Sequence, residues 1–318
     1  MYGKSVKADS YICRTYCIEA KLGSGSNGTV YRAWHTRLRK HVVIKLVKDC
    51  PSSTIEARRN EVEALKRIRN LYVPQVLDFL MEKTHSLTVM EHIEGESFDK
   101  LLKQNEGFSE CQIILWYRQL ASALQAIHMY NVCHRDIKPA NILLTTNGDV
   151  CLIDFNFALV SGNNTGIISR SMGYASPEQY EYFKMCKNTF NNTVAAYPQQ
   201  VETAVTAGDC ITELITGVSG FGNLSAESYN HNDMSISRYT TSGVIDWKLS
   251  DIYSLGATMY HLLTGNRPPV RADDVANISK LKGYSKEILN IIEKSMKQNP
   301  SERFTSAVEL SDALRCIT

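Results

Sequence analysis

Two periodicities divide this chain. Over roughly the first ninety residues the apolar positions form short β-branched runs broken by glycine and turn residues, as strands require. Beyond them apolar residues recur three and four apart, as helices require. Residues 16–48 read as strand, glycine turn, strand, turn, strand, and Val42-Val43-Ile44-Lys45-Leu46-Val47 is dense enough in branched residues for a central strand. A helix follows, with Ser53 and Glu56 at capping-box spacing and Val62, Leu65 and Ile68 on one face. Strands fit 75–81 and 86–91, before a turn at Glu94-Gly95-Glu96. A long helix fits 109–130, opened by Ser109 with Gln112, its apolar face formed by Ile113, Trp116, Leu120, Leu124 and Ile127. Further helices fit about 249–264, 285–297 and 306–315, the last opened by Ser306 with Glu309. There is no internal repeat. The pattern predicts an α+β chain: a small antiparallel sheet with one helix, then a larger helical unit.

With 318 residues, 43% of them hydrophobic, the chain can bury a large core, and its length suits about two lobes. Lys and Arg number 35 against 33 Asp and Glu, so the net charge of +2 predicts no nucleic-acid partner. No apolar run approaches the ~18 residues of a membrane span, and Met1-Tyr2-Gly3-Lys4-Ser5 lacks the apolar core of a signal peptide. A soluble, cytoplasmic protein is expected. The nine cysteines (Cys13, Cys17, Cys50, Cys111, Cys133, Cys151, Cys186, Cys210 and Cys316) are scattered, with no C-x-x-C pair. They read as free thiols in a reducing compartment, and no zinc-type ligand cluster stands out.

Chemistry concentrates in His134-Arg135-Asp136-Ile137-Lys138-Pro139-Ala140-Asn141, which sets an acid, a lysine and an asparagine in one tight loop. Downstream, Asp154-Phe155-Asn156 follows the apolar run Val150-Cys151-Leu152-Ile153. Upstream lie Gly23-Ser24-Gly25-Ser26-Asn27-Gly28 and Lys45. Any one of these signals is weak, but the four in this order resemble the protein-kinase catalytic core. Three later stretches extend the resemblance: Gly173-Tyr174-Ala175-Ser176-Pro177-Glu178, Asp251-Ile252-Tyr253-Ser254-Leu255-Gly256 and Asn299-Pro300-Ser301-Glu302-Arg303-Phe304. It covers about 16–179 and 249–315, and is most similar to bacterial eukaryotic-like serine/threonine kinases.

The resemblance implies a two-lobed kinase-like fold, with an N-lobe over 1–93 and a C-lobe over 94–318 that includes an activation segment at 154–178. It implies ATP and Mg²⁺ or Mn²⁺ as cofactors, and protein substrates with serine or threonine acceptors. Asp136 would take the acceptor hydroxyl proton, and Lys138 would neutralise charge on the moving phosphoryl group. Asn141 and Asp154 offer the hard oxygens Mg²⁺ prefers. Gly23, Gly25 and Gly28 would let backbone close over phosphates. Lys45 would hold the α and β phosphates, with Glu61, rather than Glu63, as its partner on the following helix. Val30, Val43 and Leu143 would wall the adenine, and the Glu91 carbonyl and Ile93 amide would bind its edge, with Met90 as gatekeeper. His134 and Phe155 would pack the loops, Asp251 would anchor the catalytic-loop backbone, and Glu178 would pair with Arg303.

Two positions depart from the family pattern. Asn156 stands where glycine is usual, at a site where asparagine tolerates positive φ. Val43 stands in place of alanine and narrows the adenine site slightly. Asn156 keeps open a pseudokinase scaffold as the alternative, against the complete set of Lys45, Asp136, Asn141 and Asp154. Ser161, Thr165, Ser169 and Ser171 are candidate regulatory phosphosites, with Arg135 to receive the phosphate; Ser171 is also placed to contact Asp136 and Lys138. Residues 180–248 form a long polar insertion with one plausible helix, about 199–216. Phe183, Tyr197, Phe221, Tyr229, Tyr239 and Trp247 there could anchor a docking partner or fold back on the lobe. The sequence stops soon after the last kinase helix, so no sensor domain is expected in it.

Overall fold

A computed structural model describes residues 10–25, 28–47, 52–82, 85–104, 107–155, 159–160, 171–184, 245–268 and 278–317. Six strands form the first sheet: β1 (Tyr11–Ile12), β2 (Tyr16–Gly25), β3 (Gly28–His35), β4 (Lys40–Val47), β5 (Val76–Glu82) and β6 (His85–Glu91). All neighbours are antiparallel, in the order β1-β2-β3-β4-β6-β5. The sheet curls enough for the Tyr16 hydroxyl on β2 to donate to Asp78 Oδ2 on β5, near its far edge, at 3.0 Å. Along β4 burial alternates, with Val42, Ile44 and Leu46 inside a core shared with Ile18, Tyr31, Ala33 and Val89. The two-residue period then puts Val43 and Lys45 on the opposite face. Cross-strand pairing extends that face into a row, Gly23 opposite Val30 and Val30 opposite Lys45.

Helix α1 (Ser52–Arg67) bridges the sheet to the rest. Ser53 lies inside it, one residue past its start, and so is not the N-cap that its spacing to Glu56 suggested. Val62, Leu65 and Ile68 are buried as their spacing required, but they join the larger core rather than the sheet's own. Glu94-Gly95-Glu96 was expected to turn. Instead β7 (Gly95–Ser97) pairs with β9 (Ile142–Thr145), which pairs with β10 (Val150–Leu152). Three residues are too few to show a strand period, so this ladder was not legible in the sequence.

The second lobe is built on helices. Ser97 caps α2 (Phe98–Lys103), and Ser109 with Gln112 forms the expected capping box on α3 (Glu110–Met129). All five residues of the α3 apolar face are buried. A short helix, α4, spans 177–184. Then come α5 (Trp247–Thr264), α6 (Lys286–Ser295) and α7 (Ala307–Arg315). α3 packs on α5 and α7, and α5 on α6. α5 begins two residues before its expected start, because Asp246 caps it by accepting from Lys248 N. On α7 the cap is one-sided: Ser306 accepts from Glu309 N, while the Glu309 carboxylate turns to Thr305. β8 (Val132–Cys133) and β11 (Leu159–Val160) make a final small ladder. Among the described residues no helix is long and apolar enough to cross a membrane. Asn156, Ser161, Thr165, Ser169 and most of the insertion, including 199–216, lie outside the described residues.

Candidate active site

The loop 134–141 runs between β8 and β9, and a buried carboxylate on α5 fixes its entry. Asp251 Oδ2 accepts from His134 N at 2.8 Å and Oδ1 from Arg135 N at 2.7 Å. His128 Nε2 on α3 lies 3.0 Å from the same Oδ2. Asp251 is wholly buried, so these partners replace the water it lost. The anchoring role expected of Asp251 is the geometry observed; His128 is a third partner that sequence reasoning missed. Arg135 is held on both sides, since its carbonyl accepts from Gln179 Nε2 at 2.8 Å. It sits at φ 62, a left-handed conformation that costs a non-glycine residue about 1–3 kcal/mol and persists only where surroundings impose it.

His128, Cys133 and Asp251 also form the one metal-like grouping of Cys, His and acidic side chains found among the described residues. Their geometry is that of a structural clamp. Both Asp251 oxygens already accept backbone N–H groups, and burial, then the Asp251 charge, push the Cys133 thiol far up, so it stays protonated. The Cys151 thiol is likewise pushed up, to about 12, by burial.

His134 carries its proton on Nε2. That nitrogen donates to Ile153 O at 3.0 Å, and Nδ1 accepts from Asp136 N at 3.3 Å. Its ring meets Phe155 at a centroid distance of 4.8 Å, the packing expected of both residues. Ile153 N in turn donates to Asn141 O at 2.9 Å, tying the strand that delivers Asp154 to the catalytic loop. Asp154 takes φ 66, the second constrained residue at the site.

Around Asp136 three side chains converge. Ser171 Oγ donates to Asp136 Oδ1 at 2.7 Å, and Lys138 Nζ lies 3.0 Å from both Ser171 Oγ and Asp136 Oδ2. Asn141 Nδ2 donates to Asp136 O at 2.8 Å and to Oδ2 at 3.1 Å. With its nitrogen engaged there, Asn141 directs Oδ1, an oxygen donor, away from Asp136. Facing this loop, Lys45 Nζ reaches to 3.6 Å from Asp154 Oδ1. The two oxygen donors, Asn141 Oδ1 and the Asp154 carboxylate, fit a hard divalent cation that keeps part of its water.

Glu61 lies on α1, but its side chain is outside the described residues, so its pairing with Lys45 stays an expectation. Glu63, the alternative, ion-pairs with Lys66 at 3.0 Å. On the sheet, Val43 pairs across to Met90 and Val30 to Lys45, so the apolar candidates and the lysine share one surface. Glu91 ends β6, Ile93 follows it, and half-buried Leu143 lies on β9. Gly23 has open space where a side chain would point. Gly28 does not: at φ 121, a Cβ there would stand 2.4 Å from Leu46 O. Its glycine is thus required by packing on β4, a reason invisible in the motif.

The chain around Glu178 is fixed by a buried ion pair. Arg303 Nη1 and Nη2 donate to Glu178 Oε1 and Oε2 at 2.7 and 2.9 Å. Its other donors reach Lys297 O, Leu249 O and Gln298 O, so all five guanidinium N–H groups are used. Ser250 Oγ adds a bond to Glu178 Oε1 at 2.7 Å. Burial acts to raise the Glu178 pKa, but the Arg303 charge and the hydrogen bonds outweigh it and hold the carboxyl below its usual range. Nearby, the Tyr174 hydroxyl lies 2.6 Å from His261 Nδ1, and burial, then Arg267, lower the His261 pKa to about 4.

A family model for the protein kinase domain matches residues 16–193. The serine/threonine-protein kinase PknL of Mycobacterium tuberculosis is 31% identical over 238 residues, 73% of this chain and 56% of that protein. A probable serine/threonine-protein kinase of Clostridium acetobutylicum is 33% identical over 171 residues, 52% of this chain and 26% of that protein. The carbon catabolite-derepressing protein kinase of Saccharomyces cerevisiae is 31% identical over 180 residues, 55% and 28% respectively. The chain belongs to the protein kinase family, whose members in general use ATP and a divalent metal. It spans about half the length of PknL and about a quarter of the other two.

Proposed function

We propose that this chain is a serine/threonine protein kinase, transferring the γ-phosphoryl group of ATP to hydroxyls on protein substrates. The observation that carries the reading is the convergence of Lys138, Asn141 and Ser171 on Asp136, with Lys45 and Asp154 3.6 Å apart facing them. An acceptor hydroxyl replacing Ser171 Oγ at Asp136 Oδ1 would lose its proton to that carboxylate as its oxygen bonds to the γ-phosphorus. The bond from phosphorus to the leaving oxygen breaks, and ADP departs with the electron pair. Lys138 is placed to neutralise charge on the transferred group, and Lys45 to hold the phosphates that lead to it. Asn141 and Asp154 would hold Mg²⁺ or Mn²⁺, which when bound draws charge from the phosphate oxygens. Gly23, Gly25 and Gly28 cover the phosphates, and Val30, Val43, Leu143, Glu91 and Ile93 receive the adenine.

The metal assignment has a direct test. A ligand that binds only the folded state raises the melting temperature. ATP with Mg²⁺ should therefore stabilise the wild type and stabilise Asp154→Ala much less; equal shifts would contradict the assignment. Residues 180–248 serve docking or regulation in this reading, because they leave the chain beside the end of the activation segment. Of the six aromatics there, Phe183 and Trp247 are described. Phe183 is buried, and Trp247 packs against α4 and the catalytic loop. The free buried thiols of Cys133 and Cys151 support a reducing, cytoplasmic setting.

A further inference from the structure

We propose that Trp247 is a positioning residue for the catalytic loop, acting through the guanidinium of Arg135; this rests on the kinase reading of Asp136. Arg135 is the residue before Asp136, and its side chain is buried, at 4% exposure. A buried guanidinium needs a partner that restores what water supplied. Here Arg135 Cζ lies over the Trp247 ring, 5.4 Å from its centroid. Indole is the strongest aromatic partner for a cation, and the attraction grows when the pair is withdrawn from water. Trp247 also meets Tyr182 edge-on, with centroids 5.4 Å apart at 88°. The result is a stack running from α4 through the first turn of α5 to the catalytic loop.

What the stack holds is a constrained piece of backbone. Arg135 has φ 62, its N–H is fixed to Asp251 and its carbonyl to Gln179. Rotation about that residue would swing Asp136 away from Ser171 and Asn141. The backbone bonds fix two points, and the stack fixes the third, the side chain. Trp247 is tethered from beneath as well, since its neighbour Lys248 donates to Asn131 Oδ1 at 3.0 Å, just before β8. Tyr182 and Trp247 lie near the two ends of the insertion at 180–248; they meet each other, and Trp247 meets the residue beside the catalytic aspartate.

The experiment compares the wild-type 318-residue chain with Trp247→Leu, Trp247→Phe, Arg135→Met and the Arg135→Met/Trp247→Leu double variant. Melting temperatures establish that each is folded. Hydrogen–deuterium exchange is read on a peptide covering 133–141, and transfer to a generic basic protein gives kcat and KM for ATP. Trp247→Leu should speed exchange in that peptide and lower kcat about tenfold, with KM for ATP changed less than about twofold, as for a loss felt in the transition state rather than in ground-state binding. Trp247→Phe, which keeps a ring under the cation, should recover most of both. The double variant should be no worse than the worse single. Unchanged exchange in folded Trp247→Leu would overturn the proposal, as would equal effects of Leu and Phe, or additive losses in the double variant. If the wild type transfers no phosphate, the kinase reading fails, while the exchange measurements still decide whether Trp247 holds the loop.

Discussion

At the scale of single residues, the side chains with the most demanding surroundings are charged and buried. Glu178 and Arg303 are buried and joined by two hydrogen bonds, so removing one leaves the other's charge uncompensated. Arg303→Met should lower stability at neutral pH by about 3–5 kcal/mol, measured by chemical denaturation. The pH dependence gives a sharper signature. In the wild type the folded Glu178 pKa lies below its unfolded value, so the stability it contributes is present above the ordinary 4.5 and is lost as pH falls through the depressed value. In Arg303→Met burial no longer has that charge to oppose it, the folded pKa should rise above the unfolded one, and the deficit should shrink toward acid pH. A deficit independent of pH would contradict the pairing. The sequence made this pair legible because each partner sits in a recognisable stretch. Gln179 and His128 were not legible, since a glutamine after Pro-Glu and a histidine on a helix carry no periodicity or motif that announces a hydrogen bond made 44 or 123 residues away.

Elements were legible in proportion to their length. The α3 face and its capping box were readable because twenty residues sample the helical period several times. β7, β8 and β11, of two or three residues, are held by pairing partners distant in sequence. Between elements, close approach is set by small residues that composition does not reveal. Gly256 on α5 faces α6, and a Cβ there would stand 2.6 Å from Ser295 Cβ and 3.1 Å from Met296 Cγ. Ser295 has little room to yield, because its hydroxyl is bonded to Tyr117 Oη at 2.8 Å and Ile291 O at 2.9 Å. Overpacking of this kind costs about 1–3 kcal/mol, against a gain of ~1 kcal/mol in helix propensity for alanine. Gly256→Ala should therefore lower the denaturation midpoint. A midpoint at or above wild type would show that the helices can separate without cost.

For the whole molecule, the arrangement places a curled sheet carrying Lys45 against a helical lobe carrying Asp136, Asn141 and Asp154. The four stretches that carry the kinase resemblance were readable in the sequence because the proposed chemistry fixes their residue types. The sequence did not reveal all that supports them: Gly28 against β4, the His128 partner of Asp251, and the Trp247 contacts. The insertion belongs to this scale too. Replacing residues 184–244 with a short Gly/Ser linker should preserve ATP affinity, since the proposed nucleotide residues lie elsewhere, and should change transfer to the natural substrate or its control. Unchanged transfer would make the segment a passive loop, and lost ATP binding would make it part of the core.

The central claim is that Asp136 serves phosphoryl transfer from ATP, and one comparison tests it most directly. Wild type and Asp136→Asn are incubated with γ-labelled ATP, Mg²⁺ and a generic basic protein, and thermal stabilisation by ATP with Mg²⁺ is recorded for both. Asparagine keeps the size of the side chain and loses the carboxylate that accepts the hydroxyl proton, a term of about 10²–10⁴-fold. The wild type should label itself or the acceptor. Asp136→Asn should lose labelling by at least about a hundredfold while it is stabilised by ATP as the wild type is. Labelling by Asp136→Asn at the wild-type rate, or a wild type that binds ATP and transfers nothing, would contradict the account.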